Sequence, residues 1–306
     1  MKVLISGGSG MVGKNLLTAL KKQGIHTLLA PSSKELNLLD STKTNNYLQE
    51  HKPDLVIHCA GTVGGIQANI KNPVNFLVNN TQMGINLITA AREAGVKKLL
   101  NLGSSCMYPK GAPNPLKEEL ILKGELEPTN EGYALAKITC ARLCEYINRE
   151  DSSFEYKTII PCNLYGAHDS FDPANSHLIP AIIHKVHEAK KGNSVSVEIW
   201  GTGNVRREFM SVDDLIHFIS FALENFSALP TYLNVGTGVD YSINEYYQTV
   251  AKVIGWEGEF THDLDRPEGM KQKLVDTTLL EKTGWKSSLT LEEGIQNAYN
   301  YYQSIL

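Results

Sequence analysis

No stretch of this 306-residue chain approaches the run of about 18 apolar residues that a membrane-spanning helix requires. The apolar stretch at the N-terminus, Val3-Leu4-Ile5, is too short for a signal-peptide core and reads as a first strand. A surplus of one charge is lacking too. The 29 Lys and Arg stand against 33 Asp and Glu, so there is no overall basic field to draw nucleic acid. The cysteines at 59, 106, 140, 144 and 162 are odd in number and none forms a CxxC pair. Neither a disulfide framework nor a zinc site is expected, and the chain reads as a reduced, cytoplasmic, metal-free protein. Internal repeats and low-complexity segments are absent. What remains is an ordinary globular composition, long enough for one large domain or two smaller ones.

The first feature present is a strand, a glycine turn and a helix in direct succession. Lys2–Ser6 is followed by Gly7-Gly8-Ser9-Gly10-Met11-Val12-Gly13 and then by the helical spacing of Leu16, Leu17 and Leu20. In that context the glycines let the backbone turn sharply and approach a pyrophosphate, with Gly10, Met11, Val12 and Gly13 opening a helix rich in free N–H groups. Dinucleotide binding is expected. An NAD-preferring site commonly ends its second strand in an acid for the ribose 2′-hydroxyl. Here the strand near 27–30 ends in Pro31-Ser32-Ser33-Lys34. Two hydroxyls and a cation suit a 2′-phosphate better, which favours NADP(H) over NAD(H). Asp40 either reaches the adenine or caps the next helix.

The second feature is Leu99-Leu100-Asn101-Leu102-Gly103-Ser104-Ser105-Cys106, a buried strand that hands over to two hydroxyls and a thiol. In an open α/β sheet, ligands bind outside the carboxyl ends of the strands. A helix beginning near Glu131 then carries Tyr133 and Lys137, four residues apart on one face. A nearby ammonium favours phenolate, which suits a proton donor at a carbonyl. His58, Cys59, Cys140 and Cys144 read as packing groups.

Further along, strands are expected at 158–161, 195–200, 232–235 and near 258–261, with helices over 73–94, 179–189 and 213–224. The stretch 62–69 reads as a glycine-bearing loop. Of Asn79, Asn80 and Asn86, one is expected to bond a backbone group inside the fold. Arg206-Arg207 reads either as a phosphate grip or as a surface pair. The pattern predicts an α/β protein, a Rossmann-type doubly wound parallel sheet with a smaller, mostly C-terminal α/β domain. We assign residues 1–162 and 210–237 to the dinucleotide-binding body and 163–209 and 238–306 to a nucleotide-sugar-binding body.

Gly7/Gly10/Gly13, Ser104 and Tyr133-x-x-x-Lys137, in this order, resemble the extended short-chain dehydrogenase/reductase family. Val63-Gly64-Gly65-Ile66, Gly103 through Pro109, Glu127-Pro128-Thr129-Asn130-Glu131, Asn163-Leu164-Tyr165-Gly166, Asn175-Ser176-His177-Leu178-Ile179-Pro180, Arg207-Glu208-Phe209 and Lys273-Leu274-Val275-Asp276 narrow the resemblance to its GDP-L-fucose synthase branch. The resemblance implies Ser104, Tyr133 and Lys137 as a reductase triad, and Cys106 and His177 as the acid/base pair that epimerises C3 and C5 of a GDP-linked 4-keto-6-deoxy sugar. It also implies Asn163, Lys185, Trp200, Arg207 and Lys273 at the substrate, NADPH as reductant, and a homodimer joined by the helices near 73–94 and 131–149. Thr62, Gly132, Lys185 and Gly8 stand where that branch commonly has lysine, proline, arginine and histidine. The alternative is a reductase, with or without epimerisation, for another 4-keto nucleotide sugar such as a GDP-4-keto-6-deoxy-heptose. A dehydratase commonly carries Thr-Asp-Glu where this chain has Ser104-Ser105-Cys106, and a 4-epimerase leaves Cys106 and His177 unexplained. A cofactor-sensing regulator on the same fold would keep the glycines without needing Tyr133 and Lys137 together.

Overall fold

A computed structural model describes residues 1–24, 27–172, 176–266 and 270–306. Asn175, the first residue of the Asn175-Ser176-His177-Leu178-Ile179-Pro180 motif, lies outside the described residues. The strands in chain order are β1 (Lys2–Ser6), β2 (Thr27–Leu29), β3 (Leu55–His58), β4 (Lys98–Leu102), β5 (Glu155–Pro161), β6 (Asn163–Tyr165), β7 (Ser196–Trp200), β8 (Arg206–Arg207), β9 (Phe209–Ser211), β10 (Tyr232–Val235), β11 (Tyr241–Ser242), β12 (Glu259–Asp263) and β13 (Gln272–Lys273). The helices are α1 (Met11–Lys22), α2 (Ser41–His51), α3 (Ile66–Lys71), α4 (Pro73–Glu93), α5 (Glu131–Glu150), α6 (Leu178–Lys191), α7 (Val212–Glu224), α8 (Ile243–Ile254), α9 (Thr278–Lys282) and α10 (Leu291–Ser304).

The central sheet is parallel throughout, in the order β10-β5-β4-β3-β1-β2. Helices cover both faces, so Val3, Leu4, Ile5, Val56, Ile57, Leu99 and Leu100 are buried on either side, as a doubly covered parallel sheet requires. The order in which strands are added reverses between β1 and β3, and the glycine turn after β1 emerges at that switch point. One core lies under α1, α7 and α9, and another under α2, α4 and α5. Gly84 brings α4 and α5 together, because a Cβ there would collide with the Cys140 sulfur.

A separate core gathers residues of 165–199, Phe209, α8 and α10. Three small sheets accompany it: β6 with β9, β7 with β12, and β8 flanked by β11 and β13. Val275, Leu280 and Trp285, from the stretch assigned to the nucleotide-sugar body, instead pack into the core under α1 and α7. Two further differences have simple causes. β5 starts three residues earlier than expected, because Glu155 and Lys157 break the apolar run while Tyr156 between them is fully buried. Half of the expected loop 62–69 is helical, with α3 starting at Ile66 directly after the glycines.

Candidate active site

The glycine turn has the shape its sequence predicts. Gly7 lies at φ +73°, and a Cβ there would sit 2.7 Å from the Ala60 backbone; one on Gly13 would collide with the Gly7 carbonyl. Gly10 differs. Its nearest neighbour would be the Gly7 oxygen at 3.5 Å, and as N-cap of α1 it supplies no side-chain cap. The free N–H groups of Met11, Val12 and Gly13 therefore open onto a face that its own chain leaves clear, which fits a pyrophosphate. Beyond β2, Ser33 and Lys34 are exposed, and the Ser32 N–H donates to Glu35 Oε2 at 2.7 Å. The turn thus holds one acid that the sequence reading did not weigh. Asp40 Oδ1 accepts from the Lys43 N–H at 3.0 Å and caps α2, the second of the two roles left open for it.

At the end of β4, Ser104 opens a short 3-10 turn over Ser105–Met107 and its Oγ accepts from the Cys106 N–H at 3.2 Å. Ser105 and Met107 point into the core, while Ser104 and Cys106 keep some exposure. Tyr133 and Lys137 face them from the first turns of α5. Lys137 is buried and its Nζ donates to the Leu102 carbonyl at 2.7 Å, 5.7 Å from the centre of the Tyr133 ring. The expected lowering of the phenol by that ammonium is not the net outcome. Burial first, and then the Cys106 charge, hold Tyr133 well above its ordinary value against the hydrogen bond from Ser104. Burial likewise lowers Lys137. The resting tyrosine is therefore a protonated donor. Beneath the site, His58 bonds the Ser6 hydroxyl at 2.8 Å, and burial with the Lys137 charge pushes it down to about 3. Burial raises Cys59 to about 12. Both behave as the packing groups they were read as, as do the buried Cys140 and Cys144.

Cys106 has two contacts that the sequence reading missed. Asn130 Nδ2 lies 3.2 Å from its sulfur and Lys273 Nζ lies 3.6 Å from it. Lys273 is buried on β13, where it pairs in register with Arg207 on β8. Two cations thus stand side by side on neighbouring strands. The Arg206-Arg207 pair divides. Arg206 is tied to Asp240 at 2.8 Å and Glu245 at 3.3 Å, a structural duty. Arg207 is half-buried, lowered by burial and partly sustained by Glu127.

His177 is exposed at the N-cap of α6 and makes no cap bond. Its loop approaches the glycine loop after β3, since a Cβ on Gly65 would lie 3.9 Å from the Ser176 carbonyl. That glycine loop reaches Phe76, whose ring meets Tyr133 edge-on at 6.4 Å. Asp169 carries a carboxyl oxygen that is buried with no partner; burial raises it and His177 opposes the rise. Asn163 donates to the Glu208 carbonyl at 2.8 Å, so its amide nitrogen holds the β6–β9 junction. Farther out, Trp200 is exposed between Lys185 Nζ, 5.5 Å from its ring centre, and Arg266, 4.8 Å from it. Burial lowers Lys185, and Glu198 opposes it. Of the expected backbone-bonding asparagines, Asn80 bonds both backbone groups of Thr62, and Asn86 bonds the Leu38 carbonyl. Gly132 stands where a side chain would come within 2.9 Å of the Pro73 carbonyl.

A dinucleotide turn, a Ser-Tyr-Lys set at a strand end and a thiol beside it define a nucleotide-dependent enzyme of carbonyl chemistry. The chain belongs to the NAD dependent epimerase/dehydratase family, which it matches over residues 3–236. It is 56% identical over 302 residues to the GDP-L-colitose synthase of Yersinia pseudotuberculosis, covering 99% of this chain and 98% of that protein. It is 49% identical to the GDP-L-fucose synthase of Azorhizobium caulinodans, covering 98% of this chain and 96% of the relative. Among solved structures, MlghC, a GDP-mannoheptose C4 reductase from Campylobacter jejuni with NADP bound, superposes with a TM-score of 0.91 at 33% identity, over 99% of this chain and 98% of that one.

Proposed function

We propose that the protein carries out NADPH-dependent epimerisation and 4-reduction of a GDP-linked 4-keto-6-deoxy-hexose, as in GDP-L-fucose synthesis. The observation that carries this reading is a thiol flanked by two hydrogen-bond donors, two residues from the serine of a Ser104/Tyr133/Lys137 set. A C4 ketone acidifies the protons on C3 and C5. Cys106 and His177 move those protons, while Ser104 and Tyr133 hold the charge that develops on O4. NADPH, when bound, supplies the hydride that reduces C4. Tyr133 gives its proton to O4, and the buried Lys137 supports the resulting phenolate. Gly10 through Gly13 receive the cofactor pyrophosphate, with Ser32, Ser33 and Lys34 at its 2′-phosphate. Arg207 and Lys273 hold the sugar diphosphate, and Trp200 and Lys185 the outer part of the nucleotide.

The 56% identity to a GDP-L-colitose synthase favours a second substrate within this reading. Colitose is a 3,6-dideoxy sugar, and a carbon that bears two hydrogens has no configuration to invert, so only C5 would be epimerised. Incubation with NADPH in deuterated water tests both. Deuterium at C3 and C5 of a reduced 6-deoxy product supports the first reading. Turnover confined to the 3-deoxy substrate, with deuterium at C5, supports the second. Reduction with no carbon-bound deuterium from either substrate overturns epimerisation.

Val74, Val78 and Ile85 on α4, with Leu135 and Tyr146 on α5, are exposed apolar residues at helical spacing. They suit a homodimer face, which a solution mass of one chain would exclude. Among the described residues no helix is long and apolar enough to cross a membrane. Five free thiols fit a reducing cytoplasm.

A further inference from the structure

Asn130 occupies the N-cap of α5, a position where asparagine is favoured because its side chain accepts from the first helical N–H groups. Here it makes no such bond. Its Nδ2 turns instead to the Cys106 sulfur at 3.2 Å, and its Oδ1 is buried without a partner. A strong capping residue that leaves its cap unmade and its oxygen orphaned is held there by something other than helix stability. Lys273 approaches the same sulfur at 3.6 Å from β13. It is buried, and among the described residues it forms no ion pair with a carboxylate. Both neighbours point hydrogens at sulfur. An ammonium has no lone pair to offer a thiol proton.

We infer that Asn130 is a positioning residue for Cys106: its amide, together with the Lys273 ammonium, holds the sulfur as a thiolate aimed into the site. The inference rests on the epimerase reading, in which Cys106 is one of the two proton-moving groups. The thiolate takes a proton from carbon and becomes a thiol. The C–H electron pair moves into a carbon–carbon double bond, charge gathers on O4, and a second acid returns a proton to the opposite face. An amide donor is suited to this cycle because it follows sulfur through both states, tightening on the anion and loosening on the thiol. Tyr133 and Lys137, both on α5, also interact with Cys106. Tyr133 is neutral at rest, so the two ammonium groups are the fixed charges near the sulfur.

The test is the pH dependence of Cys106 alkylation by iodoacetamide in the full chain without substrate, with the modified cysteine located by mass spectrometry. The other cysteines are buried or, for Cys59, raised by burial. In Asn130→Ala the pH midpoint should rise by about one unit, a roughly tenfold slower reaction at neutral pH. In Asn130→Asp, which keeps the shape and adds a negative charge, it should rise further. Because the Asn130 side chain caps nothing, both variants keep a helix end that never depended on it. The ratio of deuterium exchange to reduction should fall in the same order. An unchanged alkylation midpoint in both variants overturns the inference. Wild-type protein that alkylates as expected but exchanges no deuterium overturns the epimerase reading instead, which keeps the two failures apart.

Discussion

The two halves of the proposed chemistry are built differently. Ser104, Tyr133 and Lys137 come from the end of β4 and the helix α5 that packs beside it, and Lys137 is locked onto the Leu102 carbonyl of the same strand that presents Ser104. Cys106, Lys273 and His177 come from the 3-10 turn after β4, from β13 and from the N-terminus of α6. The reductive set is complete within the Rossmann layer. In the proposed function, the epimerising set draws on segments from both parts of the fold. Glu208 helps to join them. It is buried between β8 and β9 and accepts from the N–H groups of Thr237, Gly238 and Val275, so the strand carrying Arg207 is tied to the segment after Lys273. Burial raises this carboxyl and those donors oppose the rise.

The largest expected effect lies in the self-contained half. Tyr133→Phe removes the phenolic proton and leaves the ring that packs against Phe76. C4 reduction, followed as NADPH consumption, should fall about 10³-fold, equivalent to about 4 kcal/mol of transition-state stabilisation. Unimpaired reduction would remove Tyr133 as the donor. Cys106→Ser attacks the other half. Serine is too weak an acid to serve as the base, so deuterium exchange should fall about 100-fold, while reduction of a substrate with its stereocentres already set should fall far less. If both reactions fell equally, the two halves would be one unit and the comparison would fail.

A third prediction concerns the floor of the reductive half. His58 is buried neutral, and burial with the Lys137 charge depresses it to about 3. The unfolded chain takes up this proton near pH 6.5 and the folded chain does not, so stability falls as pH drops from about 6.5 toward about 3. The slope from this group is about 1.4 kcal/mol per pH unit. Chemical denaturation at pH 6.5 and 5 should show the wild type losing about 1.6 kcal/mol more than His58→Asn, which carries no titrating ring. Parallel losses would place the histidine's proton elsewhere.

The same division explains how much could be read from the sequence. The glycine turn, the Ser104 strand end and the Tyr133–Lys137 spacing are local patterns, set by contiguous residues and helix periodicity. The structure places all of them at one end of the parallel sheet. The partners of Cys106 are not local. Asn130 is 24 residues away and Lys273 is 167 away, and no period links them to the thiol. Asn130 also stands where an ordinary helix cap belongs, which hides its contact with the thiol. The residue pattern alone does not divide the Arg206-Arg207 pair; the resemblance points to Arg207, and the ion pairs of Arg206 with Asp240 and Glu245 across the fold give the physical reason. The packing of Val275, Leu280 and Trp285, within the stretch 238–306, with the core under α1 and α7 is not legible for a related reason: apolar spacing shows that a segment is buried but not against what.

The smallest effect separates outer binding from chemistry. Trp200 is 53% exposed, with Lys185 and Arg266 against its ring. Arg266 also pairs with Asp263 at 3.1 Å, and contacts of this kind are worth only about 0.5–1 kcal/mol at the surface, so the half-open ring adds little to the fold. Its exposed surface suits a flat base joined to a diphosphate, which would stack on the ring with its charge near Lys185. Trp200→Ala should therefore raise KM for the GDP-sugar about fivefold, or about 1 kcal/mol, leave kcat within about twofold, and change stability by less than about 0.5 kcal/mol. A loss confined to kcat would instead mean that Trp200 aligns the sugar in the second body for Cys106. Outer binding and epimerisation would then be a single assembled device, distinct from the preformed reductive half.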